Sequence, residues 1–125
     1  MEVIPLVGPS AILLALMASG LNGQNFAFHG YLPKDTGERI KKIRILEKRS
    51  FSEQQTQLFM ETPYRTQNFF EEILSVCEAQ TFLCVACDLT APTQLIKTQS
   101  IAAWKKQRIS LGKRPALFLI QRIKI

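Results

Sequence analysis

Histidine occurs once in this chain, at His29, and cysteine only three times, at Cys77, Cys84 and Cys87. His29 falls inside a strand-like segment and reads as a packed or surface residue, so no Ser–His–Asp arrangement presents itself. An odd cysteine count without a secretion signal argues against a disulfide framework and for reduced thiols in a cytoplasmic protein. Cys84 and Cys87 form a C-x-x-C, but there is no second pair and the setting is apolar (FLCVAC). That pattern reads as a buried strand rather than a zinc or redox centre, so no metal is expected. Long apolar runs are missing too. The uninterrupted run from Ala11 to Ala18 falls well short of the roughly 20 residues that span a bilayer. Glu2 is the only charge ahead of it, and Pro5, Gly8 and Pro9 interrupt the approach, which excludes a secretory signal. No membrane partner is expected. There is no G-x-G-x-x-G or Walker loop. Glu71 and Glu72 read as the solvent side of a helix, so paired catalytic carboxylates are absent and no catalytic base is assigned.

What is present describes one α/β domain over residues 1–125. A length of 125 residues, 46% of them hydrophobic, suffices for one core. Val3 to Val7 reads as a short buried strand, Gly8-Pro9-Ser10 as a tight turn, and the apolar run as a helix buried on all sides. Proline suits the first helical turn, and Gly20 suits a left-handed stop. Strands follow at Phe26–Tyr31, Gln57–Glu61, Phe82–Asp88, Thr93–Thr98 and Ala116–Ile123. A helix starting at Thr62-Pro63 carries Phe69, Phe70, Ile73, Leu74 and Cys77 on one face. Ser100 caps a short helix through Ile101, Ala102 and Trp104. Residues 49–56 read as a loop. The fold class is an α/β (α+β) sandwich, a mixed sheet of about five to six strands flanked by helices.

The net charge of +6 is placed unevenly. Between Lys34 and Arg49 lie seven basic and three acidic residues. Asp35 and Glu38 have capping-box spacing, so a helix starts near Thr36, with Ile40, Ile43 and Leu46 as its apolar stripe. Lys41, Lys42, Arg44, Lys48 and Arg49 project elsewhere. They are either a solvated face or a surface for phosphate backbones. Lys105, Lys106, Arg108, Lys113 and Arg114 form a second basic cluster. Neither cluster is interleaved with the aromatics of a single-strand stacking platform.

Five motifs in order, VIPLVGPSAILLALMASGL, FAFHGYLPKDTGER, LFMETPYR, ACDLT and PALFLI, resemble the tetrapyrrole-methylase superfamily of S-adenosylmethionine-dependent methyltransferases. The pattern GPSA, ASGL, F-x-GYLP-K…GER, F-x-E-x-P-x-R, LT resembles the branch that methylates a ribose 2′-hydroxyl of small-subunit ribosomal RNA. The resemblance implies a two-domain enzyme of which this chain is the second, cofactor-and-substrate half, the N-terminal glycine-rich-loop domain being absent. It also implies S-adenosylmethionine as cofactor, ribosomal RNA or the small ribosomal subunit as partner, and a homodimer. The adenosyl group is expected against Met60, Ala86, Pro115, Ala116 and Leu117, largely through main chain. Lys34, Arg39, Tyr64 and Arg65 are expected to hold substrate phosphates or order the cleft. Gly8 and Ser10 join them as substrate-binding candidates, because a helix N-terminus suits an anion.

Two departures stand out from the family's pattern. Its Arg-Glu-Leu-Thr is here Cys87-Asp88-Leu89-Thr90, and the ribosomal branch's Gly-Glu before the last strand is here Lys113-Arg114. Pro115-Ala116-Leu117 resembles the tetrapyrrole-modifying branch more. Two alternatives therefore stand beside ribosomal RNA methylation. One is a methyltransferase of a tetrapyrrole or another small substrate. The other is a non-enzymatic binding or dimerisation module. As an isolated half, the chain is expected to be inactive and to expose apolar surface around Val7, Met60 and Leu117.

Overall fold

Residues 9–88, 92–112 and 114–123 are described by the structure, a computed structural model. The elements are α1 (Pro9–Ser19), β1 (Phe26–Tyr31), α2 (Thr36–Ser52), β2 (Thr56–Glu61) and α3 (Thr66–Val76). They continue as β3 (Phe82–Cys87), β4 (Leu95–Ser100), α4 (Ile101–Lys106) and β5 (Ala116–Gln121). The five strands form one mixed sheet in the order β1-β2-β5-β3-β4. β1 and β2 are parallel, joined through α2, and every other pairing is antiparallel. The expected fold class is borne out.

Strand alternation divides the core between two faces. Phe59, Leu83, Val85, Phe118 and Ile120 point toward α2, α3 and α4, where they meet Ile43, Leu46, Phe70, Ile73 and Trp104. Leu58, Met60, Cys84, Ala86, Leu117 and Leu119 point the other way, toward Ala15 and Leu16 of α1. Because both faces are covered, β2 and β5 are buried along their whole length. That burial is why LFM in β2 and ALFLI in β5 run apolar without alternating. At the centre, Phe118 stacks on Phe59 at 6.3 Å and meets the edge of Phe69 at 5.2 Å.

Capping signals are well placed. The Asp35 side chain accepts from the Glu38 amide, and the Ser100 hydroxyl accepts from the Ala103 amide. Gly20 takes φ +75° after α1, a conformation an L side chain rarely adopts. Several boundaries need correction, among them the ends of β3 and β5, at Cys87 rather than Asp88 and at Gln121 rather than Ile123. Residues 49–52 are helical rather than loop, and the stop comes at Glu53 and at Gln54, which has φ 51°. α3 begins at Thr66, because residues 62–65 close a turn through the Arg65 amide and Thr62 carbonyl. β4 begins at Leu95, since Thr93 turns back to hydrogen-bond Asp88.

Burial corrects two further expectations. α1 is not buried all round: Met17 is 79% exposed, because one helix covering a sheet needs only one inward side. Met60 and Leu117 are not cleft surface but lie under α1. Val7 and the expected strand 3–7 lie outside the described residues. The apolar groups left open include Met17 and Ile45 on the helices and Phe26 and Phe28 on edge strand β1.

All three cysteines are free and buried. Strand alternation sends Cys84 to the α1 face and Cys87 to the opposite face, so the C-x-x-C cannot converge on one ion. Burial pushes the Cys84 and Cys87 thiols each up to about 11 from the ordinary 9.0, and burial followed by Glu47 raises Cys77. At pH 8 the folded protein is expected to react with none of the three on addition of an aromatic disulfide reagent, and fully once unfolded. A fast equivalent in the folded state would contradict this packing. The pH dependence has a definite sign. Folded-state pKa values above the unfolded ones stabilise fully below about pH 9, and that contribution is lost as pH rises through 11.

Candidate active site

β1 and β2 run parallel and end side by side, at Tyr31 and Glu61. Each leads into a turn. After β1 come Leu32, Pro33 and Lys34 before the Asp35 cap, and after β2 come Thr62 to Arg65 before α3. A cavity of about 480 Å³ opens between the turns, lined by Tyr31, Leu32, Lys34, Glu61, Thr62 and Arg65. A smaller one of about 250 Å³ shares Lys34, Glu61 and Arg65 and reaches Arg39 and Glu72. The carboxyl ends of strands are where open α/β sheets take ligands. Glu61 is buried there, and its Oε1 accepts the Thr62 amide at 2.8 Å.

Arg39 ties the first turn to α3. Its Nε and Nη2 donate to the two carboxylate oxygens of Glu72 at 2.6 and 2.7 Å, a bidentate pair from α2 to α3. Its Nη1 donates to the carbonyls of Lys34 at 2.8 Å and Pro33 at 3.3 Å. The hydrogen bond to Glu72 raises the guanidinium pKa, against the opposing effect of burial. The side chain is therefore committed to ordering the cavity wall. Glu72 is accordingly not a solvent-side carboxylate, and Glu71 pairs with Arg108 at 2.6 Å.

The remaining candidates divide. Lys34 and Arg65 converge on the cavity, whereas Tyr64 is 84% exposed and lines neither cavity. Gly8 and the Ser10 side chain lie outside the described residues. Met60, Leu117 and Ala86 are directly opposite one another on β2, β5 and β3, in a row that Tyr31 and Ile96 extend. Their side chains are buried, and their main chains lie within the sheet. Ala116 is buried on the α2–α4 face, and Pro115 is half-buried just ahead of β5. The two departures from the family's pattern meet in space: Arg114 Nη1 donates to Asp88 Oδ2 at 3.1 Å, with Asp88 held at φ 49°.

Tyr31, Glu61 and Thr62 line the cavity although no role was assigned to them from sequence. They sit inside two of the motifs, which is the signal that could have found them. Glu72 lies outside every motif, and nothing local couples it to Arg39. Among the described residues no group of three His, Cys, Asp or Glu could hold a metal ion, and no helix is long and apolar enough to cross a membrane.

No family model matches the chain. Its sequence is similar to that of "Ribosomal RNA small subunit methyltransferase I" from Vibrio cholerae, 33% identical over 81% of this chain and 34% of that protein. The protein of the same name from Buchnera aphidicola (subsp. Baizongia pistaciae) is 27% identical over 95% of this chain and 40% of its own length. The chain thus spans well under half the length of these curated relatives. Among solved structures, the methyltransferase CobJ has the same fold, with a TM-score of 0.54 and 16% identity over 90% of this chain and 47% of CobJ. The resemblance to the tetrapyrrole-methylase superfamily is borne out by these matches. Within it, the curated relatives named here are ribosomal RNA small-subunit methyltransferases.

Proposed function

We propose that this chain is the substrate-side part of an S-adenosylmethionine-dependent methyltransferase acting on a ribose 2′-hydroxyl of small-subunit ribosomal RNA. The observation that carries it is the convergence of Lys34 and Arg65, from two separate motifs, on one cavity at the carboxyl ends of β1 and β2. The relatives' names favour ribosomal RNA over a tetrapyrrole, and the motif resemblance favours the ribose hydroxyl. S-adenosylmethionine supplies an electrophilic methyl, so the protein's main tasks are alignment and exclusion of water. Met60, Ala86 and Leu117 bury their side chains between the sheet and α1. Their contribution in this reading is a rigid floor, and direct contact falls to the strand-end segment around Pro115. Lys34 and Arg65 hold a phosphate beside the reacting ribose through charge-assisted hydrogen bonds. A homodimer inside the cell belongs to the same reading, supported by the open Phe26 and Phe28 on an edge strand.

The test is methyl transfer from labelled S-adenosylmethionine to small ribosomal subunits by the whole protein, with light scattering of the same sample. Lys34→Gln and Arg65→Gln are each expected to raise KM for the subunit about tenfold, the worth of one charged hydrogen bond. Cofactor affinity should not change. Transfer to a tetrapyrrole but not to the subunit would overturn the substrate assignment, and a strictly monomeric enzyme would overturn the dimer.

A further inference from the structure

The end of the molecule opposite the candidate active site carries a second charged cavity, of about 470 Å³. It lies where α2 finishes and β5 runs out, and its walls include Arg44, Lys48, Phe51, Val76 and Arg122. Arg44 and Lys48 belong to an exposed stripe on α2 that starts one turn earlier at Lys41, at spacings of three and four residues. The Arg122 guanidinium sits 4.9 Å from the centre of the Phe51 ring. Among the described residues, no carboxylate forms an ion pair with Lys41, Arg44, Lys48 or Arg122.

Two carboxylates also face this cavity, Glu47 and Glu78. Glu47 is buried, and its Oε2 accepts the Glu78 amide at 2.7 Å and the Thr81 hydroxyl, so it is turned inward. Glu78 is exposed at the rim. The basic stripe therefore leads to an aromatic wall with a guanidinium against it. A cationic track ending on an aromatic face is the arrangement that holds unpaired nucleotides, with phosphates on the cations and a base on the ring. Duplex RNA keeps its bases stacked inside and offers only its phosphates to such a surface.

We propose that Lys41, Arg44, Lys48, Phe51 and Arg122 form an accessory site for single-stranded RNA, separate from the cavity at Lys34 and Arg65. It rests on the ribosomal RNA reading for its biological partner. By this assignment the substrate is gripped at both ends of α2, about 25 Å apart at 1.5 Å per residue over its 17 residues.

The experiment uses the whole protein and two probes, an unstructured oligouridylate of about ten nucleotides and an RNA hairpin stem of similar length. Combining Arg44→Gln, Lys48→Gln and Arg122→Gln is expected to lower the slope of log affinity against log salt on the oligouridylate by roughly 2, about 0.7 per contact. Phe51→Leu keeps an apolar filler but removes the ring. It is expected to weaken the oligouridylate about fivefold or more and to leave the stem unchanged. Phe51→Tyr keeps the ring and is expected to bind as wild type, which separates stacking from damage to the fold. An unchanged salt slope would overturn the site. So would equal weakening on both probes, or a Tyr variant as weak as Leu. S-adenosylmethionine binding and methyl transfer by the wild type are measured alongside. Their absence would sink the methyltransferase reading and leave this RNA site standing.

Discussion

Arg39→Ala is expected to be among the most damaging single substitutions outside the aromatic core. It removes one partner of a bidentate pair, strands the Glu72 carboxylate, and leaves the Pro33 and Lys34 carbonyls without their donor. Breaking a buried pair by deleting one partner costs about 3–5 kcal/mol. The Arg39 and Glu72 side chains are 10% and 23% exposed, so the low end, about 3 kcal/mol, is expected. A urea titration measures it. Function should fall with stability, because the same guanidinium fixes the turn that presents Lys34. Subunit KM should rise more than kcat falls, since Arg39 positions Lys34 and does not itself face the reacting atoms. Arg39→Lys keeps the charge but loses the fork, so it should recover only part of either effect. A double-mutant cycle with Glu72→Ala isolates the coupling. Costs that simply add would mean the pair is incidental and the turn is held by something else.

Phe118→Ala is expected to have the largest effect on folding. Phe118 is fully buried at the middle of β5, the central strand, and touches Phe59 and Phe69. Truncating a buried phenylalanine typically costs about 3–5 kcal/mol, part transfer and part cavity. Here two aromatic contacts go as well, and such pairs are worth about 0.5–1.5 kcal/mol beyond area burial. Set against a typical domain stability of about 5–15 kcal/mol, that is much of the margin. Thermal melts of the variant should show a midpoint lowered by roughly ten degrees or more, at about 3–5 °C per kcal/mol for a domain of this size. Phe118→Leu, which refills most of the space, should lose much less. A melt of the Ala variant within two or three degrees of wild type would mean that the two-faced sheet is not the core.

The two substitutions mark different depths of legibility. The apolar face of α3, the caps at Asp35 and Ser100, and the stop at Gly20 are local matters, decided by neighbours three or four residues apart, and they could be read along the chain. So could the motifs that hold Lys34 and Arg65, because each is a short continuous string. The placement of β5 between β2 and β3 could not, since strand order follows from which apolar faces close the sheet best, and no local pattern encodes that. The same holds for the Arg39–Glu72 pair and the meeting of Asp88 with Arg114, where partners 33 and 26 residues apart are joined only by packing. Burial of Met60, Ala86 and Leu117 was likewise hidden. A strand residue's side is set by its alternation, but which side is covered, and by what, depends on where α1 comes to rest. Arg122 reaches Phe51 for a related reason: the end of the central strand must come out beside the end of α2, and only the closed sheet brings Arg122 to Ser50, 72 residues earlier.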